Sequence, residues 1–166
     1  MNLIFCADKN FGIGKDNQML FNIKQDLAFF KQKTLNNVVV MGYNTLMSLP
    51  GKKPLKNRIN IVLTTKNIKI EDAIVVNNQT ELFNILKNYN SNHIFIIGGQ
   101  SIYNLMLPYC DFAFCTKVNA SKPATVFAPN LDENKNWKKV SESQIYIEQN
   151  LEFKFVEYKN KSPKKF

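Results

Sequence analysis

The run DLAFFK opens on a carboxylate, Asp26, followed at once by Leu27, Ala28, Phe29 and Phe30. On a helical period Asp26 projects from the same side as Phe29 and Phe30, so the acid borders an apolar face. There it could hydrogen-bond the cationic or amidine-like edge of a flat ligand stacked on Phe30. A blander reading competes. Asn22 with Gln25 resembles a capping box, which would make Asp26 a solvated first-turn acid favoured by the helix dipole. A second residue with distinct chemistry is Arg58, the sole arginine among 22 basic residues. Its planar fork can grip a carboxylate at two points, which lysine cannot copy.

Three further stretches suit anions. VVVMGYNT sets Gly42 between a strand and a short helix expected to begin near Asn44 and Thr45. IFIIGGQSIY does the same with Gly98, Gly99, Gln100 and Ser101, and RINIVLTTK ends in Thr64, Thr65 and Lys66. Backbone N–H groups, hydroxyls and a cation can face a phosphate at such places, and glycine lets it approach closely. A single glycine between strand and helix is most often just a turn. Three such turns in one domain suit a ligand with more than one phosphate, a dinucleotide above all. The G-x-G-x-x-G fingerprint is missing, so an ordinary Rossmann domain is not expected.

Apolar clusters alternating with helical patterns must position these groups. Strands are expected over 2–8, 37–42, 58–64, 73–77, 93–99 and 112–118, then a late pair over 137–147 and 152–159. Helices are expected near 23–33, 45–49, 80–90 and 101–107. VVVM and IFII are continuous apolar runs, the pattern of strands buried on both faces of a largely parallel sheet. The late pair alternates and has no helix between its members, so it should form an antiparallel edge. The fold class is therefore α/β: one domain over 1–159 with a central, mostly parallel sheet, an antiparallel C-terminal edge and about four flanking helices. Residues 160–166 are expected to be a basic, frayed tail. In such sheets ligands gather beyond the C-terminal strand ends.

At 166 residues, 45% of them hydrophobic, the chain can bury a sizeable core. No apolar run reaches transmembrane length, and the N-terminus meets charge too early for a signal peptide, so a cytoplasmic protein is expected. Cys6, Cys110 and Cys115 are odd in number and lack a C-x-x-C pair, which suggests neither a disulfide framework nor a metal site. The one histidine, His93, reads as structural. The net charge of +9 is spread as scattered lysines. It suits a small polyanion better than nucleic acid or a membrane surface.

Taken in order, DLAFFK from Asp26, VVMGYNT from Val39, KPLKNR ending at Arg58, IIGGQSIY from Ile96 and CTKV holding Thr116 resemble the dihydrofolate reductase family. The likeness runs from Asn2 to about Tyr158. It implies reduction of 7,8-dihydrofolate to tetrahydrofolate by hydride from NADPH, in a protein expected to act as a monomer on a small-molecule substrate. By the resemblance, Asp26 would take the pterin N3 and 2-amino group, with the Thr116 hydroxyl supporting it and a water passing the final proton to N5. Leu27, Phe30 and Leu49 would wall the substrate, and Arg58 would hold the α-carboxylate of its glutamate tail. Ile4, Cys6, Ile13 and Ile97 would surround the nicotinamide and pterin rings, with Tyr103 nearby. Gly98 to Ile102 would line the pyrophosphate, with Gly42 at the adjoining turn. Asn44, Thr45, Thr64, Thr65 and Lys66 would hold the adenosine half. Residues 12–20, with Gly14 and Met19, would form a mobile lid.

Two departures stand out. Leu20 and Phe21 replace the family's usual Pro-Trp, which removes an indole N–H that bears on proton delivery. Tyr43 replaces the usual arginine after Gly42, removing a cation for the adenosine 2′-phosphate. Several of the apolar assignments would be apolar in any packed domain. Other readings remain: a reductase of this fold acting on another pterin or a pyrimidine, and a nucleotide- or nucleic-acid-binding module.

Overall fold

Val38, Val39, Val40 and Met41 are all within 2% of complete burial, so the strand they form is covered on both faces, as a continuous β-branched run requires. A computed structural model of the chain describes residues 1–166. Its elements, in order, are β1 (Asn2–Ala7), β2 (Gly12–Lys15), β3 (Gln18–Met19), α1 (Lys24–Thr34), β4 (Val38–Gly42), α2 (Tyr43–Ser48), β5 (Ile59–Leu63) and β6 (Ala73–Val76). They continue with α3 (Gln79–Leu86), β7 (Ile94–Gly98), α4 (Gln100–Met106), β8 (Phe112–Val118), β9 (Val126–Phe127), β10 (Trp137–Glu142), β11 (Tyr146–Glu148) and β12 (Leu151–Asn160).

The main sheet runs β10-β12-β8-β1-β7-β4-β5-β6, with β11 paired to β12. Every neighbouring pair from β8 to β6 is parallel, whereas β12 is antiparallel to β8, β10 and β11. The C-terminal ends of β1, β4, β5, β7 and β8 therefore share one edge, where the glycine turns and Thr116 lie. One face carries the larger core, including Leu3, Phe5, Tyr103 and Tyr158. The opposite face carries Ile4, Val39, Met41, Phe95 and Ile97, with Phe29 and Phe30 of α1 packed on them. A third cluster joins Phe21 and Ile23 to Val118 and Phe153.

Three local expectations are corrected. The capping box does not form: the residue before α1 is Ile23, no side chain at the helix start caps it, and Asn22 is exposed. Residues 12–20 are a two-stranded ribbon, not a bare loop. β2 pairs with both β3 and β9 in a small second sheet, and Asp16 and Asn17 make its turn at φ 51° and 59°. Asp and Asn tolerate that conformation, so the hairpin signal was present. The segment read as one strand over 137–147 is two, separated by residues 143–145. The β11–β12 turn, Gln149 and Asn150 at φ 52° and 62°, lies within the connection expected there. The tail, expected to fray, makes contacts with the domain: the Lys164 N–H donates to the Pro108 carbonyl at 2.8 Å, and the Phe166 ring packs 5.1 Å from that of Phe83. A terminal aromatic can bury its ring, which a reading of tail charge overlooks.

Candidate active site

Asp26 is 8% exposed, although Lys24, Gln25, Leu27 and Ala28 around it are exposed. The helix turns this one carboxylate inward, toward β8. Thr116 lies opposite Cys6 of β1 on one side and Phe155 of β12 on the other, and its hydroxyl acts on the Asp26 carboxylate. Burial raises the Asp26 carboxyl above the ordinary aspartate value of 3.8, and the Thr116 hydroxyl opposes that rise. The solvated first-turn acid is thus excluded. Cys6 is a neighbour of this carboxylate: burial pushes its thiol well up, and the Asp26 and Cys115 charges add to the effect. Ile4 and Ile97 are buried in the cluster against which Phe30 and Leu49 pack, while Leu27 remains 41% exposed beside them.

Arg58 is held by its surroundings. Nη1 donates to the Lys56 carbonyl at 2.7 Å, and Nη2 and Nε donate to the Thr34 hydroxyl at 3.1 and 3.3 Å. Of the five guanidinium N–H groups these use three, leaving one on each terminal nitrogen without a protein partner and able to meet a carboxylate. Thr34, the last residue of α1, is itself fixed by donating to the Phe30 carbonyl at 2.8 Å. The fork is therefore oriented by the helix that carries Asp26.

The glycine turns stand unusually close. A Cβ on Gly42 would lie 3.1 Å from Ile102 and 4.0 Å from the Gly99 nitrogen, and one on Gly99 would lie 3.3 Å from the Thr45 hydroxyl. Gly98 has φ +121°, and a Cβ there would sit 3.3 Å from the Tyr103 ring. Side chains would fill this cradle, so the geometry fits a group that must approach the backbone, such as a pyrophosphate. Ile102 and Tyr103 back the cradle from the core side, and the Tyr103 hydroxyl donates to the Ile4 carbonyl at 2.8 Å. Gln100 accepts from the Phe127 N–H of β9 at 2.8 Å, and Ser101 and Asn44 are exposed nearby.

At the end of β5 the Thr64 hydroxyl accepts the Lys66 N–H at 3.2 Å, and Thr65 is exposed. Asn77 donates to the carbonyls of Thr64 and Lys66 at 2.7 and 3.1 Å. The Lys66 ammonium rests 4.0 Å from the centre of the Tyr43 ring. In the ribbon, Ile13 is half-buried, Gly14 pairs with Met19, and Met19 is 59% exposed. Phe21 is buried, with the Lys122 ammonium 4.7 Å from its ring centre and donating to the Leu20 carbonyl at 2.8 Å.

Sequence reasoning missed several supports. Buried Asp8 accepts from the N–H groups of Asn10, Gly12 and Lys122, tying the ribbon to the loop after β8. Asn77, the Tyr43–Lys66 contact and Glu148 were missed likewise, because each acts on a residue distant in the chain. A cleft of about 480 Å³ lies elsewhere, against the face of β8 and β12 that bears Lys117 and Tyr158. Neither Asp26 nor Thr116 lines this cleft, and Lys117, adjacent to Thr116 in the strand, points to the opposite face. Most of its charges pair internally, Lys117 with Asp132 and Glu142 with Lys139 and Lys154, while Lys9 and Glu152 form no ion pair.

Comparison with known proteins converges on one family. A family model described as dihydrofolate reductase matches residues 1–160. The dihydrofolate reductase of Bacillus subtilis is 33% identical over 168 aligned residues, covering 99% of this chain and 97% of that protein. That of Ureaplasma parvum is 36% identical over 113 residues, covering 67% and 70%. Among solved structures, the Enterococcus faecalis dihydrofolate reductase complexed with NADP(H) and RAB-propyl superposes with a TM-score of 0.85 at 26% identity, covering 96% of this chain and 95% of that one.

Proposed function

The chain belongs to the dihydrofolate reductase family, and from that premise we propose how its residues divide the work of reducing 7,8-dihydrofolate to 5,6,7,8-tetrahydrofolate. NADPH, when bound, supplies the hydride. The protein supplies placement, charge and exclusion of water. The observation that carries the assignment is the buried Asp26 beside Thr116: a desolvated carboxylate needs a hydrogen-bonding partner, and the pterin N3 and 2-amino edge offers two donors to it. Leu27, Phe30 and Leu49 wall the substrate, and Arg58 takes the carboxylate of its glutamate tail. Ile4, Cys6, Ile13, Met19 and Ile97 surround the reacting rings. The Gly42 and Gly98–Gly99 backbones receive the pyrophosphate, with Gln100 and Ser101 at its side. Asn44, Thr45, Thr64, Thr65 and Lys66 hold the adenosine half. The protein works as a monomer in the cytoplasm, its net charge of +9 drawing in two polyanionic ligands. No helix is long and apolar enough to cross a membrane.

The test is the loss of NADPH absorbance on adding dihydrofolate. Turnover should require both, and a higher kcat/KM on another pterin or a pyrimidine would overturn the substrate assignment. The cofactor preference should be narrower than is usual in the family, because Tyr43 removes one cation and leaves Lys66, steadied on the Tyr43 ring, to meet the 2′-phosphate. Lys66→Gln should cut kcat/KM for NADPH by about ten-fold, the value of a charged hydrogen bond, and leave NADH unaffected. An unchanged NADPH-to-NADH ratio would remove Lys66 from the cofactor site.

Phe21 fills the place of an indole with a ring that donates no hydrogen bond. Phe21→Trp should therefore speed hydride transfer at neutral and higher pH and raise its apparent pKa. Its tight packing with Ile23, Val118 and Phe153 makes overpacking the competing outcome, at roughly 1–3 kcal/mol. Single-turnover rates against pH, read beside thermal stability, decide between them: a stable variant with parental rate and pKa would exclude the role.

A further inference from the structure

The first turn of α1 is held down by very little of its own. Between Ile23, which is buried, and the Phe29–Phe30 pair, which packs on the sheet, only Asp26 turns inward. No apolar side chain of the turn anchors it, and the single buried group is one that burial penalises. A helix start also leaves N–H groups without intrahelical partners, and here no neighbouring side chain caps them.

The missing cap comes from the other end of the chain. Glu148, the last residue of β11, accepts the Lys24 N–H at 2.7 Å with one carboxylate oxygen and the Gln25 N–H at 3.1 Å with the other. These are the two residues immediately before Asp26. No other hydrogen bond reaches this turn from another element, and the Thr116 hydroxyl acts only on the Asp26 carboxylate. The charge is also well placed, since an anion is favoured at a helix N-terminus.

The hairpin that presents Glu148 is rigidly joined to the site. Tyr146, two residues earlier and so on the same face of β11, stacks on Phe153 at 5.8 Å and 22°. Phe153 belongs to the cluster of Phe21 and Ile23 that leads into the helix. Phe155, directly opposite Thr116 in the sheet, lies 4.4 Å from Phe29 of α1. Glu148 thus closes a bracket that already grips α1 one turn later through Phe29. The bonds it makes lower its own carboxyl, the Lys24 N–H foremost, so it is ionised wherever the enzyme works at neutral pH.

We propose that Glu148 is a positioning residue for dihydrofolate reduction: by closing the first two N–H groups of α1 it fixes the turn that presents Asp26 to the pterin. This rests on the assignment of Asp26 to the substrate. Glu148 touches no ligand, and its effect reaches the substrate only through the helix. Losing it should loosen the substrate side of the site and spare the cofactor side, whose phosphate and adenosine groups lie on β4, β5 and β7 and the turns after them.

The test compares Glu148→Ala, Glu148→Gln and Asp26→Asn, and the double variant Asp26→Asn/Glu148→Ala. Glu148→Ala should raise the dihydrofolate KM by about five-fold, the factor that loss of a helix cap implies, with the NADPH KM unchanged. Amide exchange at Lys24 and Gln25 should accelerate. Glu148→Gln, which keeps an acceptor oxygen without the charge, should fall between the two, and it decides the matter if the alanine variant does not fold. In the Asp26→Asn background, Glu148→Ala should add little, because the group it positions is already disabled. Faster amide exchange with an unchanged dihydrofolate KM, or an equal loss for both ligands, would make Glu148 a structural cap only and overturn the proposal. If Asp26→Asn itself left turnover intact, the substrate assignment would fall and this proposal with it. If Asp26→Asn abolished turnover while Glu148→Ala changed nothing, only the positioning role would fail.

Discussion

Asp26→Asn should lower kcat by roughly 10²–10³-fold, the order seen when a single preorganised electrostatic contact to a transition state is removed, while NADPH binding stays intact. The amide is nearly the same size and can still accept from Thr116, but it carries no charge to favour the polarised pterin. The same substitution should stabilise the protein at neutral pH. Burial raises the Asp26 carboxyl in the fold, so the folded chain holds this proton more tightly than the unfolded one. Above the raised value both states are ionised and the fold bears the full desolvation cost; as pH falls through that value toward 3.8, the cost disappears. The gain in thermal stability of Asp26→Asn over the parent should therefore be present at neutral pH and vanish in acid. A folded variant with parental turnover would remove Asp26 from the chemistry. One that is less stable at neutral pH would show that the carboxylate is a net structural asset instead.

Arg58→Lys should weaken dihydrofolate by about 1–3 kcal/mol, the range for losing a hydrogen bond to a charged group, or roughly 5- to 150-fold in KM. Turnover at saturation should change less. The guanidinium spends three N–H groups on Thr34 and Lys56 and keeps two for a ligand, whereas an ammonium has three donors in all and no fixed plane. Lysine can satisfy the scaffold or the carboxylate, not both. A substrate analogue lacking the glutamate tail should bind the parent and Arg58→Lys equally. An unchanged dihydrofolate KM would make Arg58 a surface residue braced by Thr34 and nothing more.

Much of the architecture was open to reading because it is written in short repeats. VVVM and IFII announced strands buried on both faces, and the alternating late pair announced the antiparallel edge, since side-chain direction in a strand depends only on position. The order of DLAFFK, the two glycine turns, KPLKNR and CTKV pointed to one family before any contact was known, and the match over residues 1–160 agrees. The chemical identity of the candidate site belongs to the same level: a lone arginine, an acid beside two phenylalanines, and glycines where strands end.

What no local pattern could decide was the state of those groups. Whether Asp26 is solvated or buried depends on β8 and β12 closing over α1, which brings Thr116 to it from 90 positions along the numbering; Asn22 and Gln25, the local cap, play no part. The direction of the Arg58 fork is set by Thr34, the grip on Lys66 by Tyr43, and the start of α1 by Glu148, 124 residues away. The physical reason is common to all four. Local sequence fixes which way a side chain leaves its own element, whereas burial, charge state and hydrogen-bond partners depend on which elements the sheet order makes neighbours, and that order is settled only when distant strands pair.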